Sequence, residues 1–474
     1  MSADQLAVDR RRRPAPLTII IKPLRHPYNS ITTGALAARI VRHGCRACTD
    51  LPPRSPPRIP ATIRMATETV IPGPLSAPAP ASPPARRMRI DSVDLLRGLV
   101  MVVMLLDHTR EYVHRDGLLF DPTDLSRTTV ALFLTRWITH FCAPAFVFLA
   151  GTGAALQLLR GKPKGELSRF LLTRGAWLIL LELTVVRLVI TFDVDYAGFP
   201  GMLQVIWAIG VSMMVLAALI HLRTRWVAAI GIAIVALHNL TDPLGVGPDP
   251  DAAGKLWMVL HQPGFVQVLG VRLLVLYPVL PWIGVFLCGY ALGHVYGWDA
   301  DRRRRVLVRL GLGMVAAFIV LRATNLYGNP FPWAEQKNAA FTMLSFINTM
   351  KYPPSLLFVL MTLGPALLLL AWVERMPRGP AGRALVTFGR VPLFFYVLQW
   401  VVAHGLGLGL ALAAGKPTAH LFGMPGFTPP PPGAGFSLGV AYLCWFAGIV
   451  MLYPLCRWFA GVKQRRDDWW LSYL

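Results

Sequence analysis

Asp107-His108-Thr109-Arg110-Glu111 closes an otherwise apolar stretch with a histidine set among carboxylates and an arginine. An imidazole whose ordinary pKa lies near neutrality can take a proton from an attacking amine or hydroxyl, or carry a transferred group itself. Glu111 lies one helical turn on and is placed to orient the ring. Asp107, adjacent in sequence, projects about 100° away and is a less natural partner. The blander reading of His108 is an interfacial histidine that touches lipid headgroups or caps a helix end. Asp94 and Arg97 stand at the other end of the same stretch. At 1.5 Å rise per residue, about 21 Å separates Asp94 from His108. Positions 94, 97, 101, 104, 108 and 111 share one helical face. A face with charged groups at both ends is costly against lipid and belongs against a bundle interior or a wet cavity.

Other polar groups interrupt later apolar stretches. His140 precedes Pro144 in RWITHFCAPAFVFLAG. It is either a second catalytic group or a partner for carbonyls that the proline frees. Glu182 and Arg187 read as a structural ion pair, although intramembrane charge is a functional hypothesis by default. Gln204 stands near the same region, and Asp193 and Asp195 could receive an amino or hydroxyl substrate. Tyr352, in KYPPSLLFVLMTLGP, reads as an interfacial anchor. Arg390, in FGRVPLFFYVLQW, either binds phosphate or obeys the positive-inside rule, and Gln399 needs an internal partner.

The elements that must hold these groups are membrane helices. Of 474 residues, 54% are hydrophobic and only 15% charged, with a mean hydropathy of +0.50. Soluble domains carry about a quarter charged residues. The expected fold is all-α, a polytopic integral membrane bundle of about ten helices. Their spans are 93–108, 138–159, 170–191, 201–221, 226–240, 268–294, 306–325, 353–373, 384–412 and 435–459. Basic loops alternate with acidic or mixed ones along these spans, which places both termini in the cytoplasm. Residues 1–87 form a basic, proline-rich tail expected to be disordered, with Met65 and Met88 as alternative starts. A transmembrane domain over 88–462 and a cytoplasmic tail over 463–474 follow.

The formal net charge of +23 reflects these loops and the tail, and nucleic acid is not an expected partner. Cys45 and Cys48 make a lone CxxC without a second pair, so no metal is expected. The chain lacks GxxxxGK[ST], HExxH and a credible GxSxG triad, which disfavours ATP-driven transport and classical hydrolysis.

RIDSVDLLRGLVMVVMLLDHTREY followed by THFCAPAFVFLAG resembles the start of transmembrane acetyltransferase-like proteins related to heparan-alpha-glucosaminide N-acetyltransferase. The bacterial branch of these proteins is a family long carried as a domain of unknown function. YPVLPWIGVFLCGYALG, KYPPSLLFVLMTLGP and FGRVPLFFYVLQW look like that branch's later blocks, so the resemblance covers residues 88 to 460. It implies transfer of an acetyl group from cytoplasmic acetyl-CoA to an amino-sugar or related acceptor at the outer face of the inner (plasma) membrane. His108 best matches the family's catalytic histidine, with Asp107, Glu111 and His140 beside it and His114 as the alternative base. Acetyl-CoA would bind at the cytoplasmic mouth, where Asp94, Arg97 and Arg390 stand. Bacterial relatives carry His where this chain has Gln399, which weakens any base in the ninth span. Membrane lipids, acetyl-CoA and a glycan or amine acceptor are then the partners, with homo-oligomerisation an allowed state. The rival reading is a transporter or flippase for a lipid-linked or small polar solute, and a weaker one is a non-catalytic scaffold.

Overall fold

The stretch that ends in His108 folds as one continuous helix, α1 (Asp91–Val113). Asp91 and Asp94 in its first turn and Arg110 in its last oppose the ends of the helix dipole. The computed structural model describes residues 90–473 except 118, 197–200, 248–249, 269, 376–378, 424–428 and 467. The tail, with Cys45, Cys48, Met65 and Met88, lies outside the described residues.

α2 (Val130–Thr139) and α3 (Cys142–Leu159) break at His140, near the start of the second expected span, so most of α2 falls in what the sequence reads as the preceding loop. α4 (Lys164–Leu181) runs through a wider π-turn at Glu182–Val186 into α5 (Arg187–Thr191). α6 (Val205–Leu219), α7 (Thr224–Leu237), α8 (Ala252–Leu260) and α9 (Val279–Gly293) follow. α10 (Ala300–Thr324), α11 (Ala339–Ile347) and α12 (Leu356–Val373) come next. Val391–Pro392 splits the ninth span into α13 (Pro380–Arg390) and α14 (Pro392–Ala413). A proline is readily placed at a helix start because the N–H it lacks would be unpaired there anyway. α15 (Leu438–Arg465) completes the set.

Among the described residues, seven helical segments are long and apolar enough to cross a membrane. The chain is therefore a mostly helical, multi-pass membrane protein. One part of the all-α expectation needs correction. Among the described residues β1 (Gly201–Leu203), β2 (Gly264–Val268) and β3 (Val271–Val275) form a small sheet of order β1-β3-β2. β3 pairs in parallel with β1, Met202 opposite Leu274, and antiparallel with β2, Leu273 opposite Val266. The sequence reading runs β1 and β3 into helical spans and ends the preceding loop at β2, because short apolar runs of Val and Leu suit either state. Gly270, with φ at +81°, turns the β2–β3 hairpin where a side chain would be strained.

Close backbone approach fixes the bundle around α1. A Cβ on Gly98 would lie 1.9 Å from the Leu385 carbonyl oxygen, and one on Gly389 would lie 1.8 Å from that of Asp94. α1 and α13 can therefore touch only through glycines, the membrane-protein device of small residues at helix crossings. α3 and α9 repeat it: a Cβ on Gly289 would lie 2.0 Å from the Phe148 carbonyl oxygen. Met101, Phe286, Trp282, Tyr290 and Phe358 fill the interior. α10 and α15 instead turn Ile319, Val320, Leu443, Phe446 and Trp458 outward, the pattern expected of faces that meet lipid tails.

Candidate active site

The C-terminal half of α1 carries a chain of ionic contacts that ends on a histidine. Asp107 is buried, and its two carboxylate oxygens accept from Arg110 at 3.0 Å and from Arg136 of α2. Arg110, also buried, donates to the Gly117 carbonyl at 3.1 Å and stands 3.7 Å from a Glu111 oxygen. The other Glu111 oxygen meets Nδ1 of His108 at 2.9 Å. In the tautomer that donates from Nδ1 to Glu111, the imidazole lone pair lies on Nε2, the nitrogen that can then accept a proton. The indole of Trp400 lies against the imidazole with ring centroids 3.5 Å apart, which fixes the plane of the ring.

His108 and Glu111 line a cavity of about 200 Å³ with Gln204, Tyr277, Lys351 and Tyr352. Glu182 accepts from the Trp207 backbone N–H at 3.0 Å and so tethers the start of α6, which places Gln204 beside the cavity. Met202 of β1 and Leu274 of β3 complete the wall, so the small sheet serves the site. Burial pushes the Tyr352 phenol up, but the Lys351 ammonium and the Arg136 guanidinium outweigh it and hold the phenol below its usual range. Tyr352 and Lys351 together are thus strong hydrogen-bond donors to any oxygen that gains negative charge here.

A second cavity, of about 400 Å³, flanks the N-terminal half of α1. Arg97, Arg160 and Arg174 line it. Met104, Phe146, Val205 and Tyr396 belong to the walls of both cavities. Of the six α1 positions that the sequence puts on one face, Arg97 lines the second cavity, Met104 the partition, and His108 and Glu111 the first, whereas Asp94 and Met101 line neither.

Not every candidate arrives at these cavities. Asp94 bonds Arg97 at 3.0 Å, and the same Arg97 nitrogen donates to the Gly389 carbonyl. Arg390 stands 3.7 Å from Asp91 and is not among the wall residues of either cavity. His140 is buried against Phe358, and its Nδ1 finds no partner among the described residues. It lines neither cavity. His114 follows the end of α1, where its Nδ1 accepts from the Asp116 backbone and burial lowers its pKa. Glu182 and Arg187 do not pair with each other. Arg187 instead binds the carbonyls of Asp193 and Asp195.

Sequence reasoning misses Arg136, Lys351, Tyr396 and Trp400. It reads Tyr352 as a membrane anchor, whereas the side chain is a cavity wall. A lysine next to an aromatic residue at the start of an apolar span is the one local signal that could mark this pair.

The carboxylate gives a first prediction. Arg136→Gln is expected to cost about 2 kcal/mol of stability, less than the roughly 3–5 kcal/mol of a fully stranded buried charge because Arg110 remains. Thermal unfolding in detergent checks this. A variant as stable as the parent would mean that Arg136 is dispensable to Asp107.

A family model described as heparan-alpha-glucosaminide N-acetyltransferase, catalytic, matches residues 89–326, half of the chain. Comparison with curated proteins gave no match. The matched residues supply His108, Glu111, Asp107 and Arg136, while Lys351, Tyr352, Tyr396 and Trp400 come from beyond them. The chain belongs to the heparan-alpha-glucosaminide N-acetyltransferase catalytic-domain family, a family of membrane acetyltransferases.

Proposed function

We propose that the protein moves an acetyl group from acetyl-CoA in the cytoplasm to an amino-sugar or related envelope acceptor at the outer face of the inner (plasma) membrane. The observation that carries this reading is the His108–Glu111 pair facing a cavity whose partition it shares with an arginine-lined one. About ten crossings, both termini in the cytoplasm and a transmembrane domain over 88–462 go with it. Arg97, Arg160 and Arg174 would receive the phosphates of the donor through charge-assisted hydrogen bonds. About 16 Å of helix separates Arg97 from His108, a gap suited to the slender pantetheine arm. The thioester would pass between Met104, Phe146, Val205 and Tyr396 to reach the smaller cavity.

There Nε2 of His108 takes a proton from the acceptor amine or hydroxyl as that group attacks the thioester carbon. A C–N or C–O bond forms, the carbonyl oxygen becomes negative, and Lys351 and Tyr352 donate to it. The C–S bond then breaks, and the thiolate recovers the proton from the imidazolium. Glu111 keeps the ring in the required tautomer throughout. Asp107, held by two arginines, acts on Arg110 and Glu111 and not on substrate. His140 supports the packing of α2 and α3.

The test is CoA thiol release by detergent-purified protein given acetyl-CoA, with and without a panel of amino sugars. Acceptor-dependent release supports the reading. Absence of both release and acetyl-CoA binding by folded protein would favour a transporter. Arg160→Ala and Arg174→Ala are each expected to raise the KM for acetyl-CoA about tenfold, since each removes a charge-assisted hydrogen bond, with kcat nearly unchanged. A fall in kcat with KM constant would remove these arginines from donor binding.

A further inference from the structure

Two histidines and an aspartate meet in a place that the acetyl-transfer reading does not use. His238 opens the short turn after α7, Asp242 follows that turn, and His261 ends α8. One donor atom from each lies within 4.8 Å of the others. Both histidines are only 4% exposed. None of the three lines either cavity.

Their hydrogen bonding is incomplete in a telling way. His261 shares a proton with Asp242, Nε2 to Oδ1, at 3.0 Å, yet its Nδ1 has no partner among the described residues. Neither nitrogen of His238 makes a hydrogen bond of good geometry among the described residues. One approaches a backbone group of Pro354 without meeting that geometry. Buried polar atoms are nearly always satisfied, and each left alone costs about 1–3 kcal/mol. The carboxylate, by contrast, is firmly set. Its Oδ2 accepts from Asn239 Nδ2 at 2.9 Å, and Asn239 Oδ1 accepts from the Leu356 backbone N–H at 2.8 Å.

We infer that His238, Asp242 and His261 bind a divalent transition-metal ion, with zinc the best fit to the donors. Two imidazole nitrogens and one carboxylate oxygen suit zinc, whereas calcium and magnesium prefer all-oxygen sets. The ion replaces the proton between His261 and Asp242 and takes up a lone pair that His238 otherwise buries unused. Three protein ligands leave a fourth position for water. Ligand atoms on a tetrahedral zinc lie about 3.4 Å apart, so the side chains close in by about an ångström. Asn239 orients the ligating carboxylate, the usual outer support of such sites. The bound ion ties the ends of α7 and α8 to the start of α12. The segment that delivers Lys351 and Tyr352 to the active cavity runs directly into that helix.

The experiment titrates the chelator-treated, full-length protein with zinc chloride alone, following bound metal by elemental analysis and unfolding by heat. Wild type is expected to hold one zinc more per chain than His261→Phe or Asp242→Asn, and to gain several degrees in Tm that both variants lack. Asn239→Ala is expected to weaken binding about tenfold or more. Asp242→Asn keeps the shape of the site, so it decides the matter even where a histidine variant fails to fold. Equal zinc content and equal Tm gain in wild type and Asp242→Asn would overturn the proposal. So would the absence of any zinc-dependent change in wild type. Neither result depends on acetyl transfer, so the site and the proposed reaction stand or fall separately.

Discussion

His108→Ala is expected to lower kcat for acceptor-dependent CoA release about a thousandfold, within the range that a positioned general base contributes. Donor affinity should hardly change, because the arginines assigned to the phosphates line a separate cavity behind Met104 and Tyr396. Loss of acetyl-CoA binding together with activity would instead mean that the imidazole props up the fold, through its contact with Trp400. Glu111→Gln separates positioning from catalysis. The amide can still meet Nδ1, but it no longer favours a single tautomer, so a smaller loss of kcat is expected with KM for the donor unchanged. Full activity in Glu111→Gln would show that the 2.9 Å contact does not set the protonation of the ring.

The second large effect concerns the frame. Gly389→Val is expected to cost about 3 kcal/mol, or to leave no folded protein to purify, because its Cβ alone would overlap the Asp94 carbonyl oxygen at 1.8 Å. The clash is with backbone, which no rotamer change relieves. Glycines of α14 supply the contrast. A Cβ on Gly405 or Gly409 would meet nothing within 4 Å, so alanine there should leave Tm unchanged or raise it slightly through helix propensity. Equal tolerance at Gly389 and Gly405 would mean that α1 and α13 do not meet as described. Activity gives a second readout, since a shift of α1 against α13 moves Arg97 and His108 together.

Much of this is legible in the residues because helices write their faces at fixed spacing. The six positions on one face of α1 follow from the sequence, and turn geometry alone assigns Glu111 rather than Asp107 to His108. What stays hidden depends on tertiary contact. Arg136 and Trp400 reach the site from α2 and α14, and no local pattern distinguishes them from an interfacial arginine and a buried indole. His140 and Arg390 look equally suitable by type and approximate depth, but a break at the start of α3 and an aspartate at position 91 hold them elsewhere. The sheet escapes a sequence reading because strands of three to five residues carry too little periodicity to compete with the apolar helices on either side.

The partition of Met104, Phe146, Val205 and Tyr396 bears on more than substrate passage. On the proposed reading a wet chamber opens toward each side of the bilayer along one helix, an arrangement that would short-circuit the membrane if the chambers joined. Apolar and aromatic side chains between them offer hydrated ions no replacement for their water shells. On that reading the resting enzyme would be an insulator, and only the donor's own arm, filling the gap as it parts these side chains, would open a path while plugging it against protons.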